Sequence, residues 1–302
     1  MKKYAIHKIG GAGLMLPLQK LLELVNYILK EDKGKQTIFV ISAFAGVTRI
    51  LQDIFEAKLQ NNESKVKSCF TLLKKIYFDR EEDLMEDTFY DIPETGNWWE
   101  RIQTISFKTT TDTVKRCGTT IKAELLSCGE FMSSEIFTGF LEKHTNTSVK
   151  FLRPWDIIMA KGDDYCNSTV KQPKTAKNIS RVIAPRHSVD KIMIFPGYIA
   201  SDEDRFDRLL GFDGSDLTAG LISHGLQTYD SLCSTELNFW KDVDGVYDTE
   251  GVYKSNISYK EYLDLPTTPV RKDAIIQVCE YKSETRIRSF LNLDHQGTKI
   301  TW

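Results

Sequence analysis

KYAIHKI at residues 3–9, GGAG at 10–13 and TIFVISAF at 37–44 frame the stretch that decides how this chain reads. The first segment has the length and apolar content of a short strand, and Gly10, Gly11 and Gly13 break it. Leu18, Leu21, Leu22, Val25, Ile28 and Leu29 then follow i, i+3, i+4, i+7 spacing, the stripe of an amphipathic helix. Lys33-Gly34-Lys35 ends it. TIFVISAF is continuously apolar, as a strand buried on both faces must be. Strand, helix and strand make a βαβ opening, which predicts a parallel sheet.

The same alternation continues. Val66, Cys69, Phe70, Leu73, Ile76 and Tyr77 form a second helical stripe, and residues 81–97 read as an acidic, exposed connection. A helix is predicted over about 121–143, with Leu125, Phe131, Met132, Ile136, Phe140 and Leu141 inward. Residues 148–160, 191–200 and 234–240 read as strands, and a helix starts near Asp213 to Ser215 and runs through His224. No internal repeat or Gly/Ser linker interrupts the pattern. The predicted fold class is α/β, a three-layer sandwich with a mostly parallel central sheet and helices on both faces.

Composition narrows the function classes. The 302 residues are 41% hydrophobic and 27% charged, so the chain can bury a sizeable core. Lys plus Arg total 40 and Asp plus Glu 42, a balance with no basic surplus for nucleic acid or an anionic membrane. No apolar run approaches the ~18–20 residues of a membrane span. His7, Lys8 and the glycines interrupt the N-terminal apolar stretch, so it does not read as a signal peptide. The six cysteines form no CxxC pair and cluster with no histidine, which predicts no metal centre and a reduced, cytoplasmic setting.

Four motifs carry candidate chemistry. Lys8-Ile9-Gly10-Gly11 offers backbone N–H groups at a strand-to-helix turn, with Lys8 placed to neutralise a transferring phosphoryl group. It is neither a Walker loop nor a GxGxxG fingerprint. Gly214-Ser215-Asp216 precedes an apolar helix and offers a second anion-binding N-terminus, in which Asp216 orients lysines. Lys241-Asp242-Val243-Asp244-Gly245-Val246-Tyr247 follows a strand, where α/β folds bind ligands. Glu130, within Ser127-Cys128-Gly129-Glu130, is a carboxylate in an apolar helix and suits an amino group. Each has a plain structural alternative: a tight turn, a capped helix start, a hairpin turn and an exposed or capping glutamate.

Their order is more specific than any one of them. After KIGGAG come VISAFAGVTRIL at 40–51, SCGEFMSS at 127–134, FPGYIASD at 195–202, LGFDGSDLTAGL at 210–221 and FWKDVDGVYD at 239–248. The series resembles the catalytic domain of aspartokinases, of the amino acid kinase superfamily, over nearly the whole chain, with ISYKEYLDL at 257–265 and QGTKI at 296–300 as closing segments. The resemblance implies one domain over residues 1–302 with a sheet of about eight strands, the acceptor over the N-terminal half and ATP with Mg over the half from about residue 203. It implies γ-phosphoryl transfer to the carboxylate of aspartate or a related small acceptor. In it Lys8 stabilises the transferring group and Asp216 organises the lysines. Gly10, Gly11 and Gly214 supply backbone donors to the phosphates. Ser42, Ser215 and Glu130 contact the acceptor, Glu130 through its ammonium. Lys241, Asp242, Gly245 and Tyr247 line the nucleotide. The chain stops where that catalytic domain stops, which implies no regulatory domain, and homodimers are common in the superfamily.

The departures point to the acceptor. Phe212 stands where the family arginine holds the acceptor's α-carboxylate, Asp213 replaces a glycine, and Cys166 replaces an aromatic residue. A phenyl ring cannot replace a bidentate guanidinium. Arg205 and Arg208 are the nearby candidates to compensate. Thr268 falls at the position of the family's second phosphate-facing lysine, with Arg271, Lys272 or Lys241 as substitutes. Two alternatives therefore stand beside an aspartate kinase: a kinase of this fold whose acceptor lacks an α-carboxylate, and a non-catalytic nucleotide- or metabolite-binding homologue.

Overall fold

Tyr4, Ile6 and Ile9 are fully buried because the strand that carries them is sandwiched between helical layers. The computed structural model describes residues 2–85, 98–187, 191–230 and 232–302. Eight strands of the described residues form one sheet: Lys2–Ile9 (β1), Gln36–Ile41 (β2), Val149–Phe151 (β3), Ile192–Pro196 (β4), Cys233–Lys241 (β5), Asn256–Ser258 (β6), Glu284–Ser289 (β7) and Thr298–Thr301 (β8). Their order is β6-β8-β7-β5-β1-β2-β4-β3, and every pairing is parallel except β7 with β8. This is the mostly parallel α/β sandwich expected from the βαβ opening.

One face of the sheet is covered by Leu18–Glu31 (α1), Val47–Leu59 (α2), Glu63–Met85 (α3), Trp98–Lys108 (α4) and Thr120–Thr145 (α5). The other face lies under Gln172–Ile183 (α6), Gly214–Thr228 (α7) and Lys272–Cys279 (α8). Strand alternation divides the central residues between the two cores. Ile9, Phe39 and Ile41 face α1–α5, whereas Tyr4, Ile6, Ile38 and Val40 face α6–α8.

Three expectations need correction. Residues 148–160 are not one strand: β3 is short, and Pro154, which has no N–H to give a ladder, opens a 3-10 turn over Pro154–Asp156. The 191–200 strand breaks after Pro196, where Tyr198 takes φ +69°; Ile199–Ser201 then pairs with Asp207–Leu209 outside the main sheet. Residues 81–85 belong to α3, whose Leu84 and Met85 are buried; residues 86–97 of the supposed exposed connection lie outside the described residues.

Candidate active site

Lys8 follows Ile6 by two residues and therefore shares its face, while His7 points the other way. His7 binds Asp32 at 2.9 Å and accepts from Trp240 Nε1 at 3.1 Å, in the core under α1–α5. In β5, Leu237 and Phe239 lie on the α6–α8 face, so Lys241 does too. Parallel register sets Lys8 opposite Phe239, one alternation before Lys241. The two lysines thus emerge on one face at the C-terminal ends of adjacent strands.

Asp216, in the first turn of α7, meets both. Lys8 Nζ lies 2.9 Å from its Oδ1 and Lys241 Nζ 2.9 Å from its Oδ2. Asp216 is fully buried. Burial alone would raise its pKa, but the ammonium groups of Lys8 and Lys241 outweigh that and hold the carboxyl below its ordinary value. Burial, with the charge of Lys8, pushes the Lys241 ammonium down despite Asp216. Two ammoniums on one carboxylate leave one net positive charge, suited to a phosphate.

Lys8 opens into a cavity of about 470 Å³ that is also lined by Gly11, Ser42, Glu130, Cys166, Tyr198, Phe212, Gly214 and Ser215. Two glycines make its walls approach closely. A Cβ on Gly11 would lie 2.4 Å from Ala43 O, and one on Gly197 would lie 2.5 Å from the Ser215 side chain. Glu130 enters from α5. Burial pushes its carboxyl up to about 8, against the opposing pull of the Ala43 backbone and of Lys8. Its Oε2 has no hydrogen-bond partner. The Ser127 hydroxyl, on the same helix, donates to Asp207 at 2.7 Å; Arg101 and Trp155 bind that carboxylate at 3.1 and 2.5 Å.

The structure thus gathers Lys8, Ser42, Glu130, Gly11, Gly214 and Ser215 around one cavity, with Asp216 and Lys241 behind Lys8. Gly10 is the N-cap of the one-turn helix Gly11–Leu14, and a Cβ there would lie 3.4 Å from Lys8 Nζ. Asp242, Gly245 and Tyr247 do not line this cavity. Asp242 is exposed, and Tyr247 is edge-on to Tyr253 with ring centroids 5.8 Å apart. Gly245 takes φ +152° and packs against β8, where a Cβ would lie 2.3 Å from Thr298 Oγ1.

The compensating arginines are engaged elsewhere. Arg205 pairs with Asp156 at 2.9 Å, and Arg208 with Asp202 at 3.1 Å while stacking on Tyr165. Arg271 ties down the Phe212 loop through the carbonyls of Leu210 and Phe212, at 2.9 and 2.6 Å. Lys272 caps the carbonyls of Leu263 and Leu265, both at 2.6 Å. Of the three substitutes for a second lysine, Lys241 alone reaches Asp216. Sequence reading missed Asp207, Gly197 and the roles of Arg271 and Lys272. FPGYIASD contained Gly197, but nothing local marked its partner, Ser215.

A sequence model of the amino acid kinase family matches residues 3–279. The chain belongs to that family. Its similarity reaches a bifunctional aspartokinase/homoserine dehydrogenase of Buchnera aphidicola, 26% identical over 309 residues, covering 97% of this chain and 36% of that protein. A chloroplastic counterpart from Arabidopsis thaliana is 22% identical over 311 residues, covering 98% of this chain and 32% of that one. The chain therefore spans about a third of the length of these curated relatives. Among solved structures, E. coli aspartokinase III in complex with aspartate and ADP matches with TM-score 0.82 at 17% identity, over 99% of this chain and 64% of that one. Clostridium acetobutylicum aspartate kinase matches with TM-score 0.71 at 19% identity, over 98% and 63%. These likenesses establish a shared fold. Among the described residues no helix is long and apolar enough to cross a membrane.

Proposed function

We propose that this family member is an ATP-dependent kinase that phosphorylates a carboxylate of aspartate or a related small, amine-bearing acceptor. The observation that carries the reading is the Lys8–Asp216–Lys241 cluster, whose Lys8 faces the same cavity as Glu130, with its unpartnered Oε2. The first group suits a phosphoryl group in transfer, and the second suits an ammonium.

In this reading an ionised acceptor carboxylate attacks the γ-phosphorus. The bond from that phosphorus to the bridging oxygen breaks, ADP leaves with the electron pair, and an acyl phosphate forms. No general base is needed, since the nucleophile carries no proton at neutral pH. Catalysis rests on in-line placement and charge neutralisation. Lys8 contacts the group in transfer, and Asp216 holds Lys8 and Lys241 in place. Backbone N–H groups at Gly10, Gly11 and Gly214 cradle phosphates, and Ser42, Ser215 and Glu130 position the acceptor. Lys241, Asp242, Gly245 and Tyr247 are assigned to the nucleotide side. The acceptor occupies the N-terminal half and the nucleotide the half from about residue 203.

Mg would neutralise phosphate charge. Among the described residues no group of three or more His, Cys, Asp or Glu is placed to hold a metal ion. The presence of Lys8, Glu130, Ser215 and Asp216 together, with Lys241 as a second lysine on Asp216, favours a kinase over a non-catalytic homologue.

ATP turnover with acceptor, Mg and hydroxylamine tests the proposal, because hydroxylamine converts an acyl phosphate to a hydroxamate. Hydroxamate that requires both ATP and acceptor supports it. Absence of ATP binding by calorimetry contradicts it.

A further inference from the structure

The charges around the cavity are unbalanced. Among the described residues that line it, Lys8 is the sole basic side chain, set against the carboxylate of Asp213 and the buried carboxyl of Glu130, which burial holds up to about 8 until a cation binds. Lys8 is already committed to Asp216 at 2.9 Å. Glu130 is only 4% exposed, and its Oε2 is unpartnered. A buried carboxylate oxygen left this way costs free energy that a bound ammonium recovers.

Among the described residues no other basic side chain lines the cavity to balance a second anion. Arg208 and Arg271 are held by Asp202 and by the carbonyls of Leu210 and Phe212. Lys122 lies over the Phe55 ring at 5.5 Å and does not line the cavity. The lining presents the Phe212 ring, 90% exposed, beside the carboxylate of Asp213. An acceptor with two carboxylates would place one near Lys8 and lose water from the other without gaining a cation.

We infer that the acceptor is a short ω-amino acid, with one ammonium seated on Glu130, one carboxylate directed to Lys8 and no α-carboxylate. This inference rests on the kinase reading above and narrows its substrate class. The phosphoryl transfer is unchanged: the single carboxylate oxygen bonds to the γ-phosphorus as ADP departs.

The test compares three probes in the hydroxamate assay with ATP and Mg: aspartate, β-alanine (aspartate with hydrogen in place of the α-carboxylate) and aspartate 1-amide. We expect kcat/KM for β-alanine or the amide to exceed that for aspartate by about tenfold or more, the scale of one unmet charged hydrogen bond. Phe212→Arg, an exposed change, should narrow or reverse that ratio. Aspartate turnover equal to or better than both analogues overturns the inference and leaves the kinase reading standing. No hydroxamate from any of the three also overturns it; calorimetry with ATP then decides whether the kinase reading falls as well.

Discussion

Lys8 Nζ lies 2.9 Å from Asp216 Oδ1, in a pair where the lysine is 5% exposed and the aspartate fully buried. Such a pair is costly to desolvate and more costly to break. Its position at the strand ends, beside the cavity, links the sheet register to the proposed chemistry.

Asp216→Asn removes the carboxylate that separates the Lys8 and Lys241 ammoniums. We predict a loss of roughly 3–5 kcal/mol of stability, the usual cost of leaving buried charge uncompensated. Urea denaturation checks this; an unchanged midpoint and slope would mean that the cluster is not buried as described.

Glu130 makes stability and binding pH-dependent. Its carboxyl is raised by burial from 4.5 to about 8 in the folded chain. Between those values the folded state holds a proton that the unfolded state has lost, so its contribution is complete below pH 4.5 and gone above about 8. Glu130→Gln should therefore flatten the fall in Tm between pH 6 and pH 9, values flanking the shifted carboxyl of about 8. An ammonium-bearing acceptor should release protons on binding near neutral pH, read by calorimetry in buffers of different ionisation enthalpy. Identical heats in all buffers would contradict the placement of an ammonium on Glu130.

Asp207 holds α5 against the ribbon formed by Ile199–Ser201 and Asp207–Leu209. Its carboxylate accepts from Ser127 at 2.7 Å, Arg101 at 3.1 Å and Trp155 at 2.5 Å. Asp207→Ala should cost about 2–3 kcal/mol by unpairing these donors. Because Ser127 sits one turn before Glu130, KM for the acceptor should rise as well. Thermal unfolding and steady-state kinetics report the two effects separately.

Gly11→Ala places a methyl 2.4 Å from Ala43 O and 2.8 Å from Ala45 N, both backbone atoms. The turn after β1 must then move away from the loop after β2. We predict about 1–3 kcal/mol of destabilisation, typical of overpacking, with weakened ATP binding. Wild-type affinity for ATP in this variant would argue against a phosphate cradle at this turn.

The periodic parts of the chain were legible in advance. The opening βαβ unit, α5, α7 and the assignment of His7 and Lys8 to opposite faces follow from local spacing, which the backbone enforces residue by residue. Glu130 stood out because a carboxylate breaks an apolar helical pattern. What escaped was long-range or sterically specific. Asp207 meets Ser127 across 80 positions, and Arg271 reaches Phe212 across 59, with no local signature for either. The acidic stretch from residue 81 reads as an exposed connection, yet α3 runs on to Met85 and buries Leu84 and Met85. Residues 148–160 look strand-like in composition, but Pro154 ends the ladder.

The most direct test of the central claim is the rate of ATP-dependent hydroxamate formation by Lys8→Ala beside the wild-type chain, using whichever acceptor the wild type turns over best. Lys241 still pairs with Asp216 in the variant, so the fold should persist and circular dichroism should match wild type. We predict a fall in kcat of about 10²–10³-fold or more, the scale of losing one preorganised charge at a transition state. A folded Lys8→Ala protein with undiminished turnover would contradict the assignment of Lys8 to phosphoryl transfer.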